Sequence, residues 1–284
     1  MKLSRVILIS GKGGSGKSTV AASLARALTP FHRVLLLDLD GARAAAELAG
    51  VTEDHAPDRP LCADSITRRT ELERFIERIV PLRVVARRML ASSTFGFVTA
   101  ALPGLEAFLI VERLRLLAEE LDPDRLIVVD GPATGGAVEL LTAAAKIERL
   151  AGRGALRTLA LRQQEFLAAP SHFNLWLTAI PEKLALTETL SALQLGPIQC
   201  ATVVLNRARR HGFTRAELDQ LSGLPQHHAF ASALEAAHQA TAHAAKTIHR
   251  AGAQVLELPA LFAAEFGPSE IDSLARALAP HLPG

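Results

Sequence analysis

The chain has 284 residues, 49% of them hydrophobic, enough to bury the core of one large α/β domain or two small ones. Basic residues number 31 and acidic residues 29, and a net charge of +2 gives no electrostatic reason to bind nucleic acid or an anionic membrane. The two cysteines, Cys62 and Cys200, form no CxxC pair and no zinc spacing, which argues against a disulfide scaffold and fits a reducing, cytoplasmic setting.

Met1–Arg5 reads as a direct approach to a strand rather than a secretory leader, and no uncharged run of 18 apolar residues predicts a transmembrane helix. The first predicted strand is Arg5–Ser10. It runs into Gly11-Lys12-Gly13-Gly14-Ser15-Gly16-Lys17-Ser18-Thr19, which satisfies G-x-x-x-x-G-K-[S/T]. Four glycines let the backbone curl around phosphates, and a helix predicted over Lys17–Leu28 aims its free N–H groups at them. In this reading Lys17 bridges the outer phosphates, Ser18 ligates Mg2+ and Thr19 reaches the innermost phosphate. Lys12 is surplus to the ordinary motif.

The next strand, Arg33–Leu39, carries Asp38 at its apolar end, with Asp40 two residues beyond. Alternate positions on a strand face the same way, so one carboxylate is placed to sit beside Mg2+ and the other to position an attacking water. Helices are expected over Ala42–Ala49 and Arg68–Ile79, with a strand over Leu82–Ala86 between the second and the next helix. Ala91–Gly104 is apolar and irregular and reads as an insertion. A helix over Leu105–Leu121 precedes the strand Arg125–Asp130, whose terminal Asp130 is placed to meet Mg2+ through water. The loop Asp130-Gly-Pro-Ala-Thr-Gly-Gly136 then has the composition to change shape with the outermost phosphate.

Beyond it come a helix over Gly136–Leu150, a second insertion over Gly152–Pro170, and a strand over His172–Ile180. A helix over Glu182–Leu193 opens on Pro181. The strand Ile198–Asn206, a helix over Ala231–Arg250, a strand over Ala253–Leu258 and a helix over Ser269–Ala279 complete the chain. The alternation of apolar strands with helices predicts a doubly wound α/β fold around a mainly parallel sheet. A single domain spans 1–284, with a partly helical insertion near 88–121 and another over 152–170. Of ten histidines, six fall between His211 and His249; His238, His243 and His249 do not share a helical face and read as surface residues.

Taken together, these motifs resemble the deviant Walker-A P-loop ATPases, the MinD/ParA group, and within it the ArsA family. That family holds the arsenite-pump ATPase and the ATPase that targets tail-anchored proteins. Asp130–Gly136 is similar to its D-x-A-P-T-G-H switch II with proline and alanine exchanged. Leu102-Pro-Gly-Leu-Glu-Ala107 approximates its Pro-Gly-x-x-E element. Ile180–Thr189 resembles its P-E-x-L-x-x-x-E-T segment, and Val203–Arg207 its apolar strand ending in N-[QRK]. The resemblance implies ATP and Mg2+ as cofactors and a dimer, with itself or with a paralogue. It implies that Lys12 reaches phosphates across that dimer, that Asp40 orients the hydrolytic water, and that Asn206 and Pro259 lie against adenine.

The departures are equally specific. Asp40-Gly-Ala-Arg43 stands where D-P-A-H is common, and Gly136 where histidine is. The thiol cluster of the metalloid pump has no counterpart, and soft metalloids need convergent thiolates. What the dimer drives stays open between a membrane transporter subunit, a hydrophobic protein client and a regulatory or positioning module with little turnover. Location follows as cytoplasmic, or peripheral at a membrane through a partner. The apolar stretch Phe95–Ile110 fits packing into the chain's own core or dimer interface better than a cargo groove.

Overall fold

The computed structural model describes residues 3–39, 41–51, 59–79, 104–194 and 202–283. Asp40, Cys200, the predicted strand Leu82–Ala86 and the insertion over Ala91–Gly104, save Gly104 itself, lie outside them. Seven strands form one parallel sheet: β1 (Val6–Gly11), β2 (Arg33–Asp38), β3 (Leu61–Ser65), β4 (Arg125–Ala133), β5 (Phe173–Ala179), β6 (Thr202–Ala208) and β7 (Gln254–Pro259). Their order is β3-β2-β4-β1-β5-β6-β7. The chain moves one way from β1 to β2 and β3, then after β4 the other way through β5, β6 and β7. The reversal places β1 at the switch point, where open α/β sheets hold ligands beyond the carboxyl ends of their strands.

The central strands are apolar over most of their length because both faces are covered. Val6 and Leu8 of β1 point to one layer, Ile7 and Ile9 to the other, and all four are buried. The layer on Ile7 and Ile9 is built from α1 (Lys17–Leu28), α2 (Ala44–Leu48) and α10 (Pro268–Leu278), which contribute Val20, Leu24, Ala45, Ile271 and Leu274. The layer on Val6 and Leu8 is built chiefly from α4 (Leu105–Glu120), α5 (Thr134–Leu150) and α6 (Ala155–Ala168). Three further helices, α3 (Arg68–Ile79), α7 (Lys183–Gln194) and α9 (Pro225–Arg250), add Leu72, Phe75, Leu186, Ala244 and Ile248 to that layer. Leu105, Ala107, Phe108, Leu109 and Ile110 are all buried here. The described part of the apolar stretch ending at Ile110 is therefore core.

The structure adds three elements. Edge strand β3, Leu-Cys-Ala-Asp-Ser, carries residues depleted in strands, and it forms because Val34–Asp38 of β2 offers it a full register of partners. Residues 155–168, expected as part of an insertion, form helix α6, packed on α5, α4 and β5. Helix α8 (Arg215–Gln220) opens on a capping box in which Thr214 and Glu217 satisfy one another's backbone N–H groups. Helix α9 also starts earlier than expected, at Pro225, a residue suited to a first turn.

Candidate functional site

The phosphate loop joins β1 to α1. At its start, the Ser15 N–H donates to the Lys12 carbonyl at 3.2 Å. At its end, Gly16 is the N-cap of α1, in the left-handed region at φ 91°, without a side-chain cap and with no acid in the first turn. The first N–H groups of α1 are thus left to meet an anion. Gly11 is required by close approach: a Cβ there would lie 2.2 Å from the Thr178 carbonyl oxygen on β5. Lys12, Lys17, Ser18 and Thr19 are partly exposed and Gly13 and Gly14 are open, so the loop's face is accessible.

The acidic wall lies next to it. Asp38 and Asp130 end the apolar parts of β2 and β4 and pair in register across the ladder. Both are buried, at 6% and 8% exposure. The two carboxylates and the Ser18 hydroxyl, on three neighbouring elements, are oxygen donors of the kind a hard divalent cation takes. The expected loop over Asp130–Gly136 is not formed: β4 continues through Ala133 and is tied to the phosphate-loop strand, where Gly11 pairs with Ala133 and the Ser10 hydroxyl donates to the Pro132 carbonyl at 2.8 Å. Helix α5 begins at once, at Thr134, two residues before the predicted start.

The third wall comes from β6 and β7. Leu205 pairs with Glu257 and Ala208 with Pro259, so β6 spends one residue more than β7 over this step. This β-bulge leaves Arg207 at φ 56°, in the left-handed region, and turns Asn206 toward the phosphate loop. The Asn206 amide nitrogen donates to the Ser15 carbonyl at 3.0 Å, and its oxygen accepts the Arg207 N–H at 2.9 Å. The following segment is pinned from α9: the Thr241 hydroxyl accepts the Arg209 N–H at 3.0 Å, and His238 Nδ1 lies 2.8 Å from the Arg209 carbonyl. Arg209 in turn covers the Phe262 ring, 4.2 Å from its centroid.

Residues 6–231 match the family model of the CobQ/CobB/MinD/ParA nucleotide-binding domain. The chain belongs to this family. The match begins on β1 and includes the phosphate loop, Asp38, Asp130 and Asn206; Pro259 lies beyond it. The chain is also 29% identical over 210 residues to the ATPase BagA of Mycobacterium tuberculosis and to a provisionally named ATPase of Mycobacterium bovis. Each alignment covers 67% of this chain and 60% of the relative, so the chain spans about three fifths of the curated proteins it matches.

In this nucleotide-binding domain, residues expected to act together are brought to the carboxyl ends of the strands: the Gly11–Thr19 loop, Asp38, Asp130, Asn206 and Pro259. Asp40 falls outside the described residues. Three contacts escaped the sequence. Ser10 and Thr178 are hydroxyl residues at the ends of apolar strands, a legible signal once the strands are aligned. The Asn206–Ser15 contact joins positions 191 residues apart and has no local signature. Cys62 is buried away from the loop; burial pushes its thiol up, although Arg125 Nη1 lies 2.8 Å from Sγ. A thiol held protonated is a poor nucleophile and a poor soft-metal ligand. Among the described residues no helix is long and apolar enough to cross a membrane.

Proposed function

We propose that this domain is a Mg2+-dependent ATPase of the ArsA type, working as a nucleotide-switched dimer whose hydrolysis is coupled to transport or to handling of a client protein. The observation that carries the reading is the phosphate loop itself: an uncapped α1 N-terminus with Lys17 and Ser18 on its first turn, beside two buried carboxylates in register. The named relatives, both called ATPases, support hydrolysis rather than binding alone.

In this account the Gly11–Thr19 backbone and Lys17 hold the ATP phosphates, and Asn206 and Pro259 receive the adenine. Ser18, Asp38 and Asp130 would hold Mg2+, which neutralises phosphate charge when bound. Asp40 orients the water. Lys12 crosses to the phosphates of the partner protomer, a second copy or a paralogue. The Asp130–Ala133 end of β4 reports the state of the site to α5, which follows it directly, and through α5 to α4. The protein acts in the cytoplasm, reaching a membrane only through a partner, a transporter subunit or a membrane-protein client.

The altered switch favours a second reading, an ATP-binding positioning module of MinD/ParA type with little turnover. Pro132 fills the space beside Gly136, the position where a histidine would be expected to act. Hydrolysis measured against protein concentration separates the two. Specific activity rising with concentration supports the dimeric ATPase; tight Mg·ATP binding without turnover at any concentration supports the module.

A further inference from the structure

The Asn206 carboxamide does something other than face a base. It is 5% exposed and wedged under the phosphate loop. Its Nδ2 donates to the Ser15 carbonyl at 3.0 Å. It also fills the space beneath Gly16, where a Cβ would lie 2.2 Å from Nδ2. The Ser15 hydroxyl, itself fully buried, has no hydrogen-bond partner among the described residues, and the Ser15 N–H turns back to Lys12 within the loop, so the carbonyl contact is what ties Ser15 to the strand beneath it. The bulge and the left-handed Arg207 hold the amide plane in place, with Oδ1 taking the Arg207 N–H.

We infer that Asn206 is a positioning residue for the phosphate loop, so that the strand meeting the base also sets the curvature of the backbone that holds the phosphates. This rests on the nucleotide-binding reading above and names a link inside that site. The hydrogen-bond inventory allows both roles at once. A primary amide has two N–H donors and two acceptor sites on its oxygen. The loop and Arg207 use one of each, leaving one donor and one acceptor. That remaining pair is the set that can read an adenine edge in two-point fashion. One rigid amide would then couple base occupancy to loop geometry, and removing it would harm ligands that have no base.

The test uses tripolyphosphate with Mg2+ as a base-free probe beside Mg·ATP, measured by calorimetric titration on the full chain, on Asn206→Ala and on Asn206→Leu. The leucine keeps nearly the size, adds no charge beside the phosphates and loses both donors. If Asn206→Ala does not fold, the leucine variant carries the comparison, with its thermal midpoint as the control for folding. The expected result is a loss of about tenfold or more in tripolyphosphate affinity, because a loop carbonyl loses its buried partner. ATP affinity falls by at least as much. Loss of ATP affinity with unchanged tripolyphosphate binding makes Asn206 a base contact only and overturns the inference; unchanged binding of both overturns it too. A wild-type chain that binds neither ligand removes the phosphate-site reading and this inference with it.

Discussion

Pro132 occupies the space into which a side chain at Gly136 would project: a Cβ built on Gly136 lies 2.8 Å from Pro132 Cβ and 3.1 Å from its Cγ. The exchange of proline and alanine in the switch and the glycine at its end are therefore one feature. A pyrrolidine ring cannot swing aside, and its carbonyl is held by Ser10. Gly136 sits in the first turn of α5, where alanine alone would gain roughly 0.5–1 kcal/mol in helix propensity. Gly136→Ala is expected to destabilise instead, by about 1–2 kcal/mol net, because overpacking outweighs propensity. In Gly136→Ala/Pro132→Ala the sign reverses toward the propensity gain. Denaturant unfolding of the four proteins gives the coupling energy, and additive single effects would show that the two residues do not touch.

The helical layer carries a buried ion pair. Arg115 grips Glu112 with two bonds of 2.7 and 3.0 Å and reaches Glu119, while buried Gln163 on α6 donates to Glu112 at 3.3 Å and to the Phe108 carbonyl at 3.1 Å. Arg115→Ala leaves Glu112 buried without its counter-charge and is expected to cost about 3 kcal/mol or more. Arg115→Met with Glu112→Leu removes both charges and should recover most of that loss. Unfolding midpoints decide it; a double variant as unstable as the single one would mean the pair is net stabilising.

The α3–α4 contact has a defined pH response. Burial pushes the Glu71 carboxyl up from its ordinary 4.5, more strongly than Arg74 and Arg113 pull it down. The folded chain then keeps this proton where the unfolded chain has lost it, so stability falls as pH rises from about 4.5 toward the raised value. Below that window both states are protonated and the contribution is flat. Glu71→Gln is expected to remove this part of the slope in unfolding measured across mildly acid pH. An unchanged slope would place the carboxyl outside the protonation linkage.

How much was readable in advance follows from where information sits in the chain. The phosphate loop, β2 and β4 were legible because an apolar run ending in glycines or a carboxylate is local chemistry. The parallel sense of the sheet follows from strand–helix alternation; its strand order does not. Strand β3 was not legible: Ala63 and Asp64 are poor strand formers, and the waiting edge of β2 draws this segment into the sheet. Helix α6 hid behind its flanking glycines, Gly152 and Gly154. Asn206 stands out through the resemblance of Val203–Arg207 to a strand ending in N-[QRK], but its grip on Ser15 depends on a bulge that no spacing rule reveals. The altered switch read as missing parts, while its packing shows a compensated pair.

Lys12 gives a prediction that needs two chains. If it acts on the partner's phosphates, Lys12→Ala still binds Mg·ATP and loses turnover by about 100-fold or more, as removal of a charge-stabilising group does. Lys17→Ala fails to bind. Mixing the two inactive variants should restore about a quarter of wild-type activity, since half the dimers are hybrids and each hybrid has one complete site. A mixture no more active than its components would show that Lys12 works within its own chain or not at all.

The central claim is that the Gly11–Thr19 loop holds a nucleotide that this domain hydrolyses, and the most direct measurement is Mg·ATP binding and phosphate release by the purified chain beside Lys17→Ala. The account predicts saturable binding and Mg2+-dependent release for the wild type, with both lost in Lys17→Ala while its unfolding midpoint stays near wild type. Wild-type protein that neither binds nor turns over Mg·ATP, or a Lys17→Ala variant that does both normally, would contradict it.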